Sequence, residues 1–173
     1  DDVSAGVVVA EFGPIPELLD ESLIKFISDQ KMFFVATAPA GAHGHINLSP
    51  KGHDCFRVID SKTVAYLDLT GSGVETIAHL RENGRITIMF CAFEGSPRIL
   101  RLYGTGAVCL PESSEFQRLR QGFPTVPGMR AIIRVDLTRI SASCGFGVPL
   151  MDFAGNRDAL TDWAESKGSE GLD

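Results

Sequence analysis

The apolar positions of this chain fall into a few short periodic runs separated by strong turn residues. Leu19, Leu23, Phe26 and Ile27 recur at helical spacing in the stretch Glu17 to Ser28, which follows Pro14 and Pro16, so a helix with one core-facing stripe is expected there. Met32 to Ala38 is apolar and β-rich and stops at Pro39-Ala40-Gly41, as a strand would. Ile46 to Ser49 and Phe56 to Ile59 read as extended on either side of a Pro50-Lys51-Gly52 turn. Asp60-Ser61-Lys62 then turns the chain into a strand over Thr63 to Leu69. Val74 to Arg81 has helical character and ends at Asn83-Gly84, where glycine is the usual stop.

Ile86 to Phe93 and Ile99 to Leu110 are two further strands around the turn Glu94-Gly95-Ser96-Pro97, and Gly104 and Gly106 inside the second mark a bulge or barrel corner. Ser114-x-x-Gln117 has the form of a capping box opening a helix that carries Phe116, Leu119 and Phe123, closed by Gly122 and Pro124. Ala131 to Leu137 alternates with Ile133 and Val135 on one face, and Arg139 to Ser143 extends it. Asn156 is placed to cap a last helix that presents Leu160, Trp163 and Ala164 together and stops at Gly168. Some six strands with inserted rather than alternating helices imply a mainly β fold, an antiparallel barrel in place of a doubly wound sheet.

Composition narrows the function classes. A length of 173 residues with 44% hydrophobic and 22% charged residues fits one globular domain over 1–173. A formal net charge of -6 at pH 7 argues against a phosphate-backbone binder, which needs clustered cations, so no nucleic-acid partner is expected. No apolar run approaches membrane-spanning length and the start at Asp1-Asp2 is unlike a basic signal segment. A cytoplasmic protein without a membrane role is therefore the expectation. Cys55, Cys91, Cys109 and Cys144 form no C-x-x-C and read as reduced, mostly buried thiols.

Few residues suggest chemistry. G-x-S-x-G, Walker A, H-E-x-x-H and G-x-G-x-x-G are all absent, which weakens hydrolase and nucleotide-loop readings. Gly71-Ser72-Gly73, at a strand-to-helix turn, offers backbone N–H groups and a positive helix end to an anion, although taken alone Ser72-x-x-Glu75 reads rather as a capping box. Asn47-Leu48-Ser49-Pro50-Lys51-Gly52 supplies a hydroxyl and a point charge, or an ordinary solvated turn. Arg98 and Arg101 point to opposite faces of a strand, with Arg98 the better site candidate. His43, His45, His53 and Cys55 lack structural-zinc spacing and read as polar loop residues, so no metal is expected.

Together these segments resemble a known family. Ile46-Asn47-Leu48-Ser49-Pro50-Lys51-Gly52, then Tyr66-Leu67-Asp68-Leu69-Thr70-Gly71-Ser72-Gly73-Val74-Glu75-Thr76, then Arg98-Ile99-Leu100-Arg101-Leu102-Tyr103-Gly104, match in order and spacing the pyridoxamine 5'-phosphate oxidase-related flavin-binding proteins. The likeness runs from the first helix to Cys144-Gly145-Phe146-Gly147-Val148-Pro149. It implies a Greek-key-like split β-barrel with accessory helices, dimerising to hold FMN in a cleft between subunits. Carried over by position, Asn47, Ser49 and Lys51 would line the cofactor, Thr70, Gly71, Ser72, Gly73 and Thr76 would form its phosphate turn, and Arg98, a weaker match to the pattern, would join the cofactor-binding set.

Two departures stand out. Oxidases of that family carry a basic pair where this chain has Gly71-Ser72-Gly73, and the late Trp and Arg of authentic pyridoxamine phosphate oxidases have no counterpart here. The resemblance therefore implies an FMN-dependent oxidoreductase acting on some other small molecule, with no catalytic residue assigned. The alternatives are a flavin- or haem-binding module without turnover and a deazaflavin-dependent reductase. A homodimer is expected, with the apolar segment Phe146 to Phe153 at its interface.

Overall fold

A computed structural model describes residues 17–167 apart from residue 72. Its strands are β1 (Phe33–Thr37), β2 (Asn47–Lys51), β3 (Phe56–Asp60), β4 (Thr63–Leu69), β5 (Arg85–Cys91), β6 (Ile99–Cys109) and β7 (Met129–Ser143). The helices are α1 (Glu21–Asp29), α2 (Val74–Asn83), α3 (Ser114–Arg120) and α4 (Ala159–Lys167). The strands form one sheet in the order β2-β1-β5-β6-β7-β4-β3, with every pairing antiparallel. Because β4 returns to lie beside β7 and β5 beside β1, local hairpins are joined by Greek-key-like crossings. The sheet ends at β2 and β3 without closing, so the protein is a split barrel with accessory helices.

The core is built from buried side chains of the sheet and of α1, α2 and α3. Val35, Ile88, Leu100, Leu102, Ile133 and Val135 are fully buried, and each such side chain contributes about 1.5–3 kcal/mol relative to exposure. Near the β1 end, Phe33 packs edge-on against Phe56 and Tyr66 with ring centroids 5.0 and 5.6 Å apart, and Phe56 meets Phe90 at 5.1 Å. Leu23 and Ile27 of α1 complete the core on one side, and Phe116 and Leu119 of α3 do so on another.

Several boundaries differ from the sequence expectation for identifiable reasons. Pro50 and Lys51 belong to β2 rather than to a turn, paired opposite Phe34 and Phe33. Proline is tolerated because β2 is an edge strand and its missing N–H costs no ladder bond. The first helix begins at Glu21, not Glu17, because Asp20 caps it by accepting the Leu23 N–H at 2.8 Å.

At α3 the cap is Ser113, whose Oγ accepts from the Phe116 N–H at 3.2 Å. The expected capping box of Ser114 and Gln117 is absent, and Gln117 instead donates to the Pro111 carbonyl. Asn156 does not cap α4, which starts three residues later at Ala159, and Gly168 lies outside the described residues. The expected continuation of the Ala131 to Leu137 strand through Ser143 is present as one strand, β7, which begins two residues earlier at Met129. Gly84 ends α2 as expected, in the left-handed region at φ 70° with its N–H on the Leu80 carbonyl. The bulge expected near Gly104 is also present, as a register shift against β7 between Tyr103 and Gly104.

Candidate functional site

The strand-to-helix turn after β4 is the most polar feature beside the core. Asp68, fully buried near the end of β4, accepts from both Nε and Nη2 of Arg130 through Oδ2, at 2.9 and 2.6 Å. Its other oxygen, Oδ1, has no hydrogen bond among the described residues, and the Lys51 Nζ stands 3.8 Å from it. The Lys51 ammonium also lies 5.7 Å from the Tyr66 ring centroid, over the aromatic face. A Cβ placed on Gly73 would come within 2.7 Å of Asp68 Oδ1 and 3.1 Å of Arg130 Nη2, so this position accepts only glycine without a local shift. The structure thereby brings the end of β2 and the start of α2 to one place, with the Asp68 carboxylate between them.

Neighbouring contacts fix this arrangement. Asn47, Ser49 and Lys51 alternate onto one face of β2. The Asn47 carboxamide donates to Glu75 Oε2 of α2 at 2.9 Å and accepts from Ser49 Oγ at 2.7 Å. Glu75 is thus engaged with β2, a role that differs from the reach back to its own helix cap expected of a capping box. Thr70 donates its N–H to the Gly128 carbonyl at 2.7 Å, and Gly71 takes φ +114°, a conformation that suits glycine. Ser72 lies outside the described residues. Thr76 is wholly buried, and its hydroxyl has no partner among the described residues.

Arg98 goes elsewhere. Its guanidinium lies over the Phe26 ring at 5.2 Å and lines a cleft of about 1310 Å³ bounded by the end of β2, the β5–β6 hairpin and residues 151–157. Lys31, Lys51, His53 and Arg157 also line it, so Lys51 is the residue shared by the cleft and the turn. His53 holds φ 61°, an uncommon conformation outside glycine. Burial pushes the Cys55 thiol up to about 11 and also raises Cys91 and Cys109, so these three are poor nucleophiles.

A flavin phosphate suits the donor set at the turn. A lysine ammonium, a turn with two glycines and the start of a ten-residue helix meet there, while the Val74 and Thr76 N–H groups already donate to the Gly71 and Gly73 carbonyls at 3.5 and 3.1 Å. Sequence reasoning missed Asp68 and Arg130. A charged residue inside the otherwise apolar run Val64 to Leu69 was the available signal, because a buried carboxylate demands a partner.

Comparison with known proteins places the chain in a family. Residues 19–144 match the family described as pyridoxamine 5'-phosphate oxidase. The pyridoxamine 5'-phosphate oxidase family protein ustO of Aspergillus flavus is 47% identical over 141 residues, which cover 79% of this chain and 56% of that protein. The chain thus spans little more than half the length of that relative. Among solved structures, HupZ of Group A Streptococcus superposes with a TM-score of 0.54 at 23% identity, covering 70% of this chain and 91% of that one. An FMN-binding protein of Syntrophomonas wolfei superposes with a TM-score of 0.51 at 16% identity, covering 77% and 90%. At these identities the two structures speak to the fold alone. The match across 19–144 and the relative's identity over most of this chain establish that the protein belongs to the pyridoxamine 5'-phosphate oxidase family.

Proposed function

We propose that this protein binds FMN at the turn between β4 and α2 and serves as an FMN-dependent oxidoreductase for a small molecule other than pyridoxamine phosphate. The observation that carries the reading is the convergence of Lys51 and the Gly73 turn on one oxygen, Oδ1, of Asp68, which brings two motifs distant in sequence to one corner. Family membership and an FMN-binding protein of the same fold support it. Lys51 would supply the positive charge, and the N-terminus of α2 would turn the positive end of its dipole toward a phosphate. The Asn47–Glu75 bond holds the β2 edge against that helix, so the two halves of the corner keep their spacing. A bound flavin would contribute electron transfer through its ring system, and the protein would orient that ring and tune its electronics.

The cleft that opens from Lys51 past His53 and Arg98 is the space for a substrate beside such a ring. The proposed assembly is a homodimer. Phe146 and Leu150 are each 79% exposed, and Met151 and Phe153 are also exposed, an apolar run that a second copy would cover. Among the described residues no helix is long and apolar enough to cross a membrane.

The visible absorption of the purified protein, followed by titration of cofactor-free protein with FMN, a deazaflavin and haem in parallel, tests the reading. Stoichiometric FMN binding is expected. Binding of haem or the deazaflavin in preference to FMN would overturn it, and light scattering of a monomer that retains full flavin would overturn the dimer.

A further inference from the structure

Arg98 is fixed at its backbone and uncommitted at its guanidinium. The Ala92 N–H donates to the Arg98 carbonyl at 2.8 Å beside the β5–β6 hairpin, and a Cβ on Gly145 would come within 2.5 Å of the Arg98 nitrogen, so the chain beyond β7 packs directly on this residue. The guanidinium lies over the Phe26 ring at 5.2 Å, a stack that holds a long side chain in one place. Arg98 and Phe26 are both half-buried, and both line the cleft of about 1310 Å³. Among the described residues the guanidinium has no carboxylate partner, although Glu94 and Asp152 line the same cleft.

The other lysine and arginine side chains of the cleft are placed differently. Lys31 is exposed with its ammonium 6.0 Å from the Phe153 ring, Lys51 stands against Asp68, and Arg157 is exposed. A half-buried, stacked guanidinium without a counter-charge presents a planar fork of donors, which a carboxylate matches through two parallel hydrogen bonds. Met32 and Phe93 line the cleft as well, so the remainder of such a ligand meets apolar surface. The Met151 N–H donates to the Phe93 carbonyl at 2.9 Å, which ties the facing segment to the hairpin and holds the walls together.

We propose that the substrate is a small organic acid whose carboxylate pairs with Arg98, held on Phe26, while its apolar body lies along Met32 and Phe93. The proposal rests on the reading of this cleft as the substrate space, and it assigns Arg98 to the substrate in place of the cofactor. A single uncompensated charge suits a singly charged carboxylate better than a doubly charged phosphate.

Calorimetric titration of the FMN-loaded protein with para-toluate, uncharged para-toluamide and para-tolyl phosphate tests this in the parent, Arg98→Lys, Arg98→Met and Phe26→Leu. The parent is expected to bind para-toluate about tenfold or more tighter than para-toluamide. Arg98→Met should abolish that preference. Arg98→Lys and Phe26→Leu keep a cation but lose the fork or the stack, and each should lose part of it, with para-toluamide bound as in the parent. No binding of para-toluate, equal affinity for acid and amide, or tighter binding of the aryl phosphate would overturn the substrate class. A preference retained in Arg98→Met would overturn the role of Arg98. So would a loss of FMN affinity in that variant as large as its loss of para-toluate affinity, which would return Arg98 to the cofactor. Failure of the parent to bind FMN would overturn the flavin reading alone, and the same titrations of the flavin-free protein would then decide the carboxylate site.

Discussion

Arg130 and Arg134 lie on the same strand, one turn-proximal and one beside α3, and both are held by carboxylates. Arg130 binds a carboxylate with no solvent exposure, while Arg134 donates to Glu115 at 3.2 Å and to Asp136 at 2.7 Å, acceptors that are 31% and 54% exposed. Water competes for the second set and cannot reach Asp68. A buried pair is costly to assemble and costly to break, whereas exposed pairs contribute little. The difference teaches where charge serves architecture and where it serves a site. The Arg134 network ties helix to sheet, and Arg130 is spent beside the turn where an anion is expected.

Removing one partner from each region should separate them sharply. Arg130→Met leaves the Asp68 carboxylate buried beside a thioether and should destabilise the fold by about 3–5 kcal/mol, measured by urea unfolding. A loss no greater than that of a surface pair would erase the contrast. Next in size, Lys51→Ala should weaken FMN binding by about 1.5–3 kcal/mol, and it should also lower the unfolding midpoint because Lys51 stands 3.8 Å from the buried Asp68 Oδ1. Unchanged affinity in a normally folded variant would remove Lys51 from the site.

Gly73→Val should cost about 1–3 kcal/mol of stability and weaken FMN binding too. The clash it creates is with Asp68 and Arg130 below the turn, rather than with the phosphate above it. Wild-type stability in Gly73→Val would show that the turn is not packed on the ion pair.

The smallest effect belongs to Glu115. Its hydrogen bonds from Arg118 and then Arg134 lower its pKa from 4.5 to about 2. A carboxylate depressed on folding adds stability above its unfolded pKa and loses it as pH falls through the folded one. The contribution should therefore be complete near neutrality and fade between about pH 4.5 and 2. Because the side chain is partly solvated, Glu115→Gln should cost only about 0.2–1 kcal/mol at neutral pH. A pH-dependent stability difference between parent and Glu115→Gln outside that window would contradict the assignment.

The same contrast explains what was legible in the sequence. Thr63–Leu69 was readable as a strand to the residue, and Gly84 as a helix stop, because apolar periodicity and glycine chemistry are local properties. Asn47, Ser49, Lys51 and the Gly73 turn stood out as polar candidates and the structure brings Lys51 and Gly73 to one corner, although only the resemblance linked the segments. Arg130 was hidden because its role depends on a bulge, which is set by the registry of β4 against β7 and by no pattern around residue 130. Arg98 illustrates the reverse case. Its strand context was evident, but the stacking on Phe26 that takes it into the cleft depends on where α1 packs.

The most direct test of the account is a calorimetric titration of the cofactor-free parent with FMN and, separately, with riboflavin. Lys51 and the Gly73 turn, acting together on the phosphate, predict that FMN binds tighter by about tenfold or more. Equal affinity for the two flavins would mean that this corner holds no phosphate, and the central claim would fall.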